Sequence, residues 1–323
     1  AVTIFYSRQN GDWNTQSTWS DVDVGGAVGS GTPGAGDPVV IGDGTTNHTI
    51  TVQSANSAVA GNVKLSSGSV LDLQNSTGND LGSVLEGTNN SGFGRIRQSS
   101  GTLPTADLSD FVASGAGTYE YYRDGADFTI PSGQTTYNNL VISSTGGATG
   151  TITFPAVALT MNSNLQVGRT NNAAALNVFT DATGARTLTV KGNLNVTGAT
   201  SAETTFSLRN GGNQQFNVTG DVTIAPNGIV NVENVGSNVH KFTVSGDLTN
   251  NGSLDLTTGG GVADVTFTSS INRTLTGSGS TFDFNGLTVD KGTDTLSALD
   301  VNAPSMTVAT GGLQLVNGTL KLN

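Results

Sequence analysis

The sequence predicts an all-β fold: a right-handed parallel β-helix (β-solenoid), a single elongated domain with an N-terminal cap. Three observations predict it. Apolar residues alternate with Thr, Ser and Asn in short runs broken by Gly, Asn and Asp. Helical spacing is almost absent. A Gly-Asn/Asp motif recurs at solenoid-like intervals. Alternation over such runs marks strands with one buried face, and right-handedness follows from the general preference of parallel crossovers.

The strands read in chain order include His48-Thr49-Ile50-Thr51-Val52, Val63-Lys64-Leu65, Val70-Leu71-Asp72-Leu73 and Thr151-Ile152-Thr153-Phe154. The best helical candidate is Thr105–Val112, at most two turns, with Thr105 as N-cap and Gly115 as stop. The repeat then separates a solenoid from a sandwich. Leu188-Thr189-Val190-Lys191-Gly192-Asn193-Leu194-Asn195-Val196 recurs as Phe216-Asn217-Val218-Thr219-Gly220-Asp221-Val222-Thr223-Ile224, and again from Phe242 to Thr249. Its glycines, Gly192, Gly220 and Gly246, lie 28 and 26 residues apart, within the period of solenoid repeats. A second repeat pairs Tyr137-Asn138-Asn139-Leu140-Val141-Ile142 with Phe282-Asp283-Phe284-Asn285-Gly286-Leu287-Thr288-Val289.

One such coil cannot bury its own apolar face, so successive coils stack and share an inward Val/Leu/Phe stripe. The Gly-Asn/Asp step is read as a bend in which Gly takes positive φ. Asn stacked over Asn would satisfy turn amides along the axis. At ~23 residues per coil the chain would make about fourteen coils. An immunoglobulin-like sandwich would need a buried Trp in each ~100-residue unit, whereas Trp13 and Trp19 are both near one end. Residues 1–40 are read as the cap with a Gly-rich insertion, and 41–323 as the shaft. Ala1-Val2-Thr3 is read as a start left after signal removal. Leu320-Lys321-Leu322-Asn323 stops inside an alternating pattern, predicting a natural chain that continues.

Composition excludes several classes. With no Cys there is neither a disulfide scaffold nor a thiolate metal site. Gly, 45 of 323 residues, has no Gly-X-Y period, which excludes collagen. No apolar run is long enough to span a bilayer as a helix. A net charge of −11 repels phosphate backbones and anionic lipid, so neither nucleic acid nor membrane insertion is expected.

The strings Thr118-Tyr119-Glu120-Tyr121-Tyr122, Thr136–Ile142 and Phe284–Val289 resemble the repeats of large bacterial surface adhesins, in which "GTxEY", "YNNLxI" and "LxVxGNLxV" follow one another. That family has β-helical shafts like those of autotransporters and filamentous haemagglutinins. It is frequent among Bacteroidota-type proteins exported by the type IX pathway. The opening, Gly11-Asp12-Trp13 to Trp19 and Gly36–Ile41, is similar to the start of G8-type β-solenoid domains, in which the two Trp cap the first coil. Here Asn47-His48 stands where that family has Gly-His. The resemblance implies a secreted or cell-surface protein whose partners are other copies or domains of the same surface protein and, further, surface glycans.

Candidate chemistry is sparse. A nucleophilic triad needs a His, and only His48 and His240 are present. Glycoside hydrolysis asks for two carboxylates. Asp21/Asp23 and Asp290/Asp294/Asp300 are the candidates, with Arg95/Arg97 and Arg123-Asp124 as cations for lyase chemistry. The chain is expected not to be an enzyme and to need no cofactor. Calcium is the cation that Asp-bearing turns would suit, at Gly36-Asp37, Asp43-Gly44, Asp124-Gly125 and Gly220-Asp221. Tyr119, Tyr121 and Arg123 are the candidate ligand-contact surface, the alternative being that the Tyr face fills the interior. Thr-x-Thr steps invite an ice-binding reading, against which their unequal spacing argues. The functional expectation is a non-catalytic shaft or adhesive segment of a surface adhesin or filament. A carbohydrate-active β-helix enzyme or carbohydrate-binding module is the alternative.

Overall fold

The structure, a computed structural model, describes residues 2–171, 174–180, 184–209, 211–233, 238–257, 262–293, 295–309 and 312–323. It is all-β, with no α-helix among the described residues. Parallel β-solenoid coils occupy residues 38–322, about 11 turns, preceded by a mixed N-terminal sheet. By contacts the chain falls into two compact units, Ala1–Tyr122 with Thr136–Val141, and Arg123–Thr135 with Ile142–Asn323.

In the first unit each coil contributes two strands. One parallel ladder holds Pro38–Ile41, Asn62–Leu65, Asp80–Glu86 and Thr105–Asp107. The other holds Thr49–Thr51, Val70–Asp72, Arg95–Gln98 and Thr118–Arg123. Inward side chains align in columns, such as Ile50, Leu71, Ile96 and Tyr119, all buried. The first ladder closes differently at its N-terminal edge. Phe5–Ser7 pairs in parallel with Pro38–Ile41 and antiparallel with Trp19–Ser20. Trp13 and Trp19 are both 0 % exposed, edge to face at 5.2 Å, and Trp19 Nε1 donates to Trp13 O at 2.7 Å.

The helix expected at Thr105–Val112 is not formed. Thr105 N donates to Asn79 O, which draws Thr105–Asp107 into the ladder beside Asp80–Glu86. What survives is one turn, with Val112 N bonded to Leu108 O, and Gly115 at φ 82 beyond it. An available sheet edge outweighs the weak propensity of two isolated turns.

In the second unit each coil contributes three strands. One ladder includes Leu165–Val167, Leu194–Val196, Val222–Ile224 and Leu248–Asn250. A second includes Gly150–Thr153, Leu176–Phe179, Thr204–Arg209 and Gly228–Glu233. The third includes Leu159–Met161, Thr187–Val190, Gln215–Val218 and Val239–Val244. The extra strand lengthens the coil. Equivalent residues bond at separations of 29, 28, 26 and 27 here, against 21 between Ala58 and Asn79 in the first unit. The expectation of about fourteen coils therefore overcounts. Phe154, Phe206, Phe216 and Phe242 form a buried aromatic run with centroid spacings of 6.1, 5.3 and 5.1 Å.

The Gly-Asn/Asp repeat forms a side-chain ladder along the coils. Asn164 Oδ1 accepts the Asn193 amide at 2.8 Å, Asn193 Oδ1 the Asp221 amide at 2.9 Å, Asp221 Oδ1 the Asp247 amide at 2.9 Å, and Asp247 Oδ1 the Thr274 amide at 2.8 Å. The role expected for the glycines is corrected. Gly192, Gly220 and Gly246 are not among the positive-φ residues. They are required by close approach, because a Cβ on Gly220 would lie 2.2 Å from Asn193 Oδ1 and 2.5 Å from Gly192 O. The second repeat does not stack on itself. The strand after Tyr137 reaches the ladder of Leu165, where Gly168 N donates to Ile142 O, whereas the strand after Phe284 pairs Leu287 with Val265 in the third ladder. The two strings are the same corner chemistry used at different corners.

Val218 is 1 % exposed and Thr219 points outward. Val218→Asp should therefore cost several kcal/mol, and Thr219→Asp no more than about 0.5 kcal/mol, measured by urea unfolding. Gly220→Ala should cost about 1–3 kcal/mol by overpacking. Asn193→Ala should cost about 1 kcal/mol through the lost acceptor. Asp221→Asn should raise the melting temperature, because it keeps the acceptor and removes one of two carboxylates on adjacent coils.

Candidate functional site

Tyr119 and Tyr121 point into the first unit, 1 % and 0 % exposed, with rings stacked at 4.9 Å. They present no surface to a ligand, which corrects the exposed-aromatic reading in favour of its stated alternative. The Tyr119 hydroxyl donates to Gln98 Oε1, and the Tyr121 and Tyr137 hydroxyls lie 3.0 Å apart. Burial raises both Tyr119 and Tyr121 well above the ordinary phenol pKa. Arg123 is also buried, in the second unit. Its Nε donates to Asp127 Oδ1 at 2.7 Å, Nη1 to Ala148 O at 2.8 Å and Nη2 to Gly125 O. A Cβ at Gly150 would overlap this guanidinium, so Arg123 is a fixed corner staple.

The outward face of the first unit's second ladder gathers charge. Arg95 and Arg97 share one strand face, as the alternation predicts, but neither is an isolated cation. Arg95 Nη1 donates to Glu120 Oε2 at 2.9 Å. Arg97 lies 3.7 Å from both Asp72 and Glu120 and sits 4.1 Å over the Tyr122 ring. The Tyr122 hydroxyl donates to Asp72 Oδ1 at 2.9 Å. Burial pushes the Asp72 carboxyl up, opposed by Arg97. Removing one member of such a set would strand the buried charge of another.

The other candidates disperse. Asp21 and Asp23 are exposed, and Asp21 Oδ2 accepts the Ser30 amide in the Gly-rich loop. Asp290 accepts from Asn317 Nδ2, and Asp300 lies 3.7 Å from Lys321 Nζ on a different ladder. Asp294 lies outside the described residues. Asp221 accepts the Asp247 amide of the next coil, whereas Asp37 and Asp43 bond within their own turns. Asp37 accepts from Gly34 N, and Asp43 from Thr45 N and Thr46 N, which holds the Asp43 carboxyl below its ordinary value. No three His, Asp or Glu side chains come together in a metal-holding group among the described residues.

His48 Nδ1 lies 2.8 Å from Ser7 Oγ, and Ser7 Oγ also accepts the Gly42 amide. His240 is 0 % exposed, and its Nδ1 accepts the Gln214 amide at 2.9 Å. Burial lowers both imidazoles from 6.5.

The Thr-x-Thr pairs fall on different ladders, yet one outward column is in register. Thr160, Thr189, Asn217, Thr243, Thr266, Thr288 and Gln314 stand opposite one another on consecutive third-ladder strands. Corner loops absorb the unequal spacing, so spacing alone misjudged this register. The column beside it carries Thr187, Gln215, Lys241, Asp264 and Gly286, which makes the surface a mixed polar stripe. A cleft of about 340 Å³ between Lys241, Asp264, Asn285 and Gln314 opens on it. In the first unit a cleft of about 660 Å³ is lined by Glu86, Phe93 and Asp110. Sequence reading passed over Phe93. Its signal was an aromatic residue between two glycines, outside any alternating run.

Comparison with known proteins finds no matching family model, no matching curated protein and no matching solved structure. The class that the fold defines is the parallel β-solenoid.

The imidazoles set a pH dependence. With folded pKa values depressed below 6.5, the unfolded chain binds more protons near pH 6, so stability present above that pH is lost as pH falls. The urea midpoint should drop between about pH 7.5 and 5.5. His240→Asn, which keeps an acceptor facing the Gln214 amide, should shrink the drop.

Proposed function

We propose that this chain is a non-catalytic structural shaft or adhesive segment of a secreted or cell-surface bacterial adhesin or filament of the type IX-exported kind. The observation that carries the reading is the double bonding between coils of the second unit. Main-chain ladders and the Asn164–Thr274 side-chain ladder run in the same direction. Such stacking suits a stem, because each coil is held by its neighbours and the element can be lengthened by repetition. The resemblance of the Tyr119, Tyr137 and Gly192 motifs to adhesin repeats points the same way. The partners would be further domains or copies of the same surface protein, and glycans of the surface it meets.

Two measurements test this. Incubation with pectin, alginate, xylan and β-glucan should release neither reducing ends nor unsaturated products above a heat-denatured control; sustained release from any of them would replace the shaft with an enzyme. Antibody labelling of intact cells of the organism that encodes it should mark the surface, and a purely cytoplasmic signal would overturn the location.

A further inference from the structure

We infer that the cleft beside Phe93 in the first unit is a binding site for a neutral oligosaccharide. This rests on the adhesive half of the reading above.

The cleft is held from the core outward. The Phe111 ring is buried, 6.5 Å and edge to face from the Tyr119 ring, and Phe93 stands edge to face on Phe111 at 5.9 Å. A Cβ on Gly117 would strike the Phe111 ring at 2.2 Å, so glycine there is what seats the prop. Phe93 itself is half-buried, and its main chain bridges Ser66. The loop before it is fixed by Gly87 N to Gly92 O and Ser91 N to Thr88 O, both 3.1 Å. It holds Asn89 and Asn90 at φ 58 and 56, the left-handed turn conformation that asparagine tolerates. The ring is thus a fixed platform.

Two carboxylates, Glu86 and Asp110, line the same cleft, and both are exposed to solvent. Glu86 Oε1 accepts the Gly92 amide at 3.1 Å, which leaves its other oxygen for a ligand. The remaining walls are Leu85, Ser114 and small Gly and Ala residues, beside which backbone polar groups are reachable. A volume of about 660 Å³ falls in the range of roughly 300–1,000 Å³ typical of small-ligand sites. A sugar ring offers what this lining lacks: C–H groups to lie on an aromatic face and hydroxyls to donate to carboxylates. Uronates and phosphorylated ligands would face Glu86 and Asp110 with like charge, which excludes anionic polymers.

Native gel electrophoresis of the full chain in gels containing mixed-linkage β-glucan, xyloglucan, galactomannan or alginate tests the site. At least one neutral polysaccharide should retard the protein and alginate should not. Phe93→Ala should abolish the retardation. Glu86→Gln and Asp110→Asn should each weaken it at least about fivefold, roughly 1 kcal/mol, with melting temperatures unchanged. If Phe93→Ala unfolds the loop, these two isosteric variants decide alone. No retardation by any neutral polymer, retardation by alginate alone, or retardation that survives both carboxamide variants would each overturn the site. None of these results bears on the hydrolysis assay, so failure here and failure of the non-catalytic reading are separable.

Discussion

The structure depends on how closely one coil lies on the next. In the second unit an Asn or Asp oxygen reaches along the stack to the amide of its counterpart, Asn164 to Asn193 to Asp221 to Asp247 to Thr274. That reach leaves no room for a side chain just before the acceptor's counterpart, and glycine at 192, 220 and 246 is the consequence. Val190, Val218 and Val244 are then delivered to one inward column. A local steric demand at the corner sets the register, and the register sets the core.

The same constraint governs where polar chemistry ends up. Alternation sends every second residue inward, so the Tyr119 and Tyr121 rings serve packing while Glu120 and Tyr122 meet Arg95, Arg97 and Asp72 on the other face. Charges inside such a set neutralise one another, and the buried Arg123 spends its donors on corner carbonyls and Asp127. What remains outward in the Thr160–Gln314 column is hydroxyl and amide, with the charges of Lys241 and Asp264 in the column beside it.

Much of the fold was legible because its signals are local. Period-two runs marked Thr49–Thr51 and Asn62–Leu65, and the Gly-Asn/Asp motif marked the stacking of Leu188, Phe216 and Phe242. Number of strands per coil was not legible, since Leu176–Phe179 and its equivalents look like any other alternating run until their partners are known. Thr105–Asp107 misled because a sheet edge elsewhere in the chain claimed it. The site was harder still. Tyr119 and Tyr121 carry the same alternation whether they face in or out, and Phe93 gains meaning only through Phe111 and Gly117, which a loop brings back to it.

The placement of both tryptophans near the N-terminal edge, Trp19 in the mixed sheet and Trp13 packed against it, has an optical corollary. Light absorbed by indole alone reads one edge of the first unit, while far-ultraviolet dichroism reads every strand. In a molecule whose coils answer mainly to their neighbours, the two signals need not share a midpoint. Any gap between them would measure, in degrees or in molar denaturant, how far cooperativity extends from that edge.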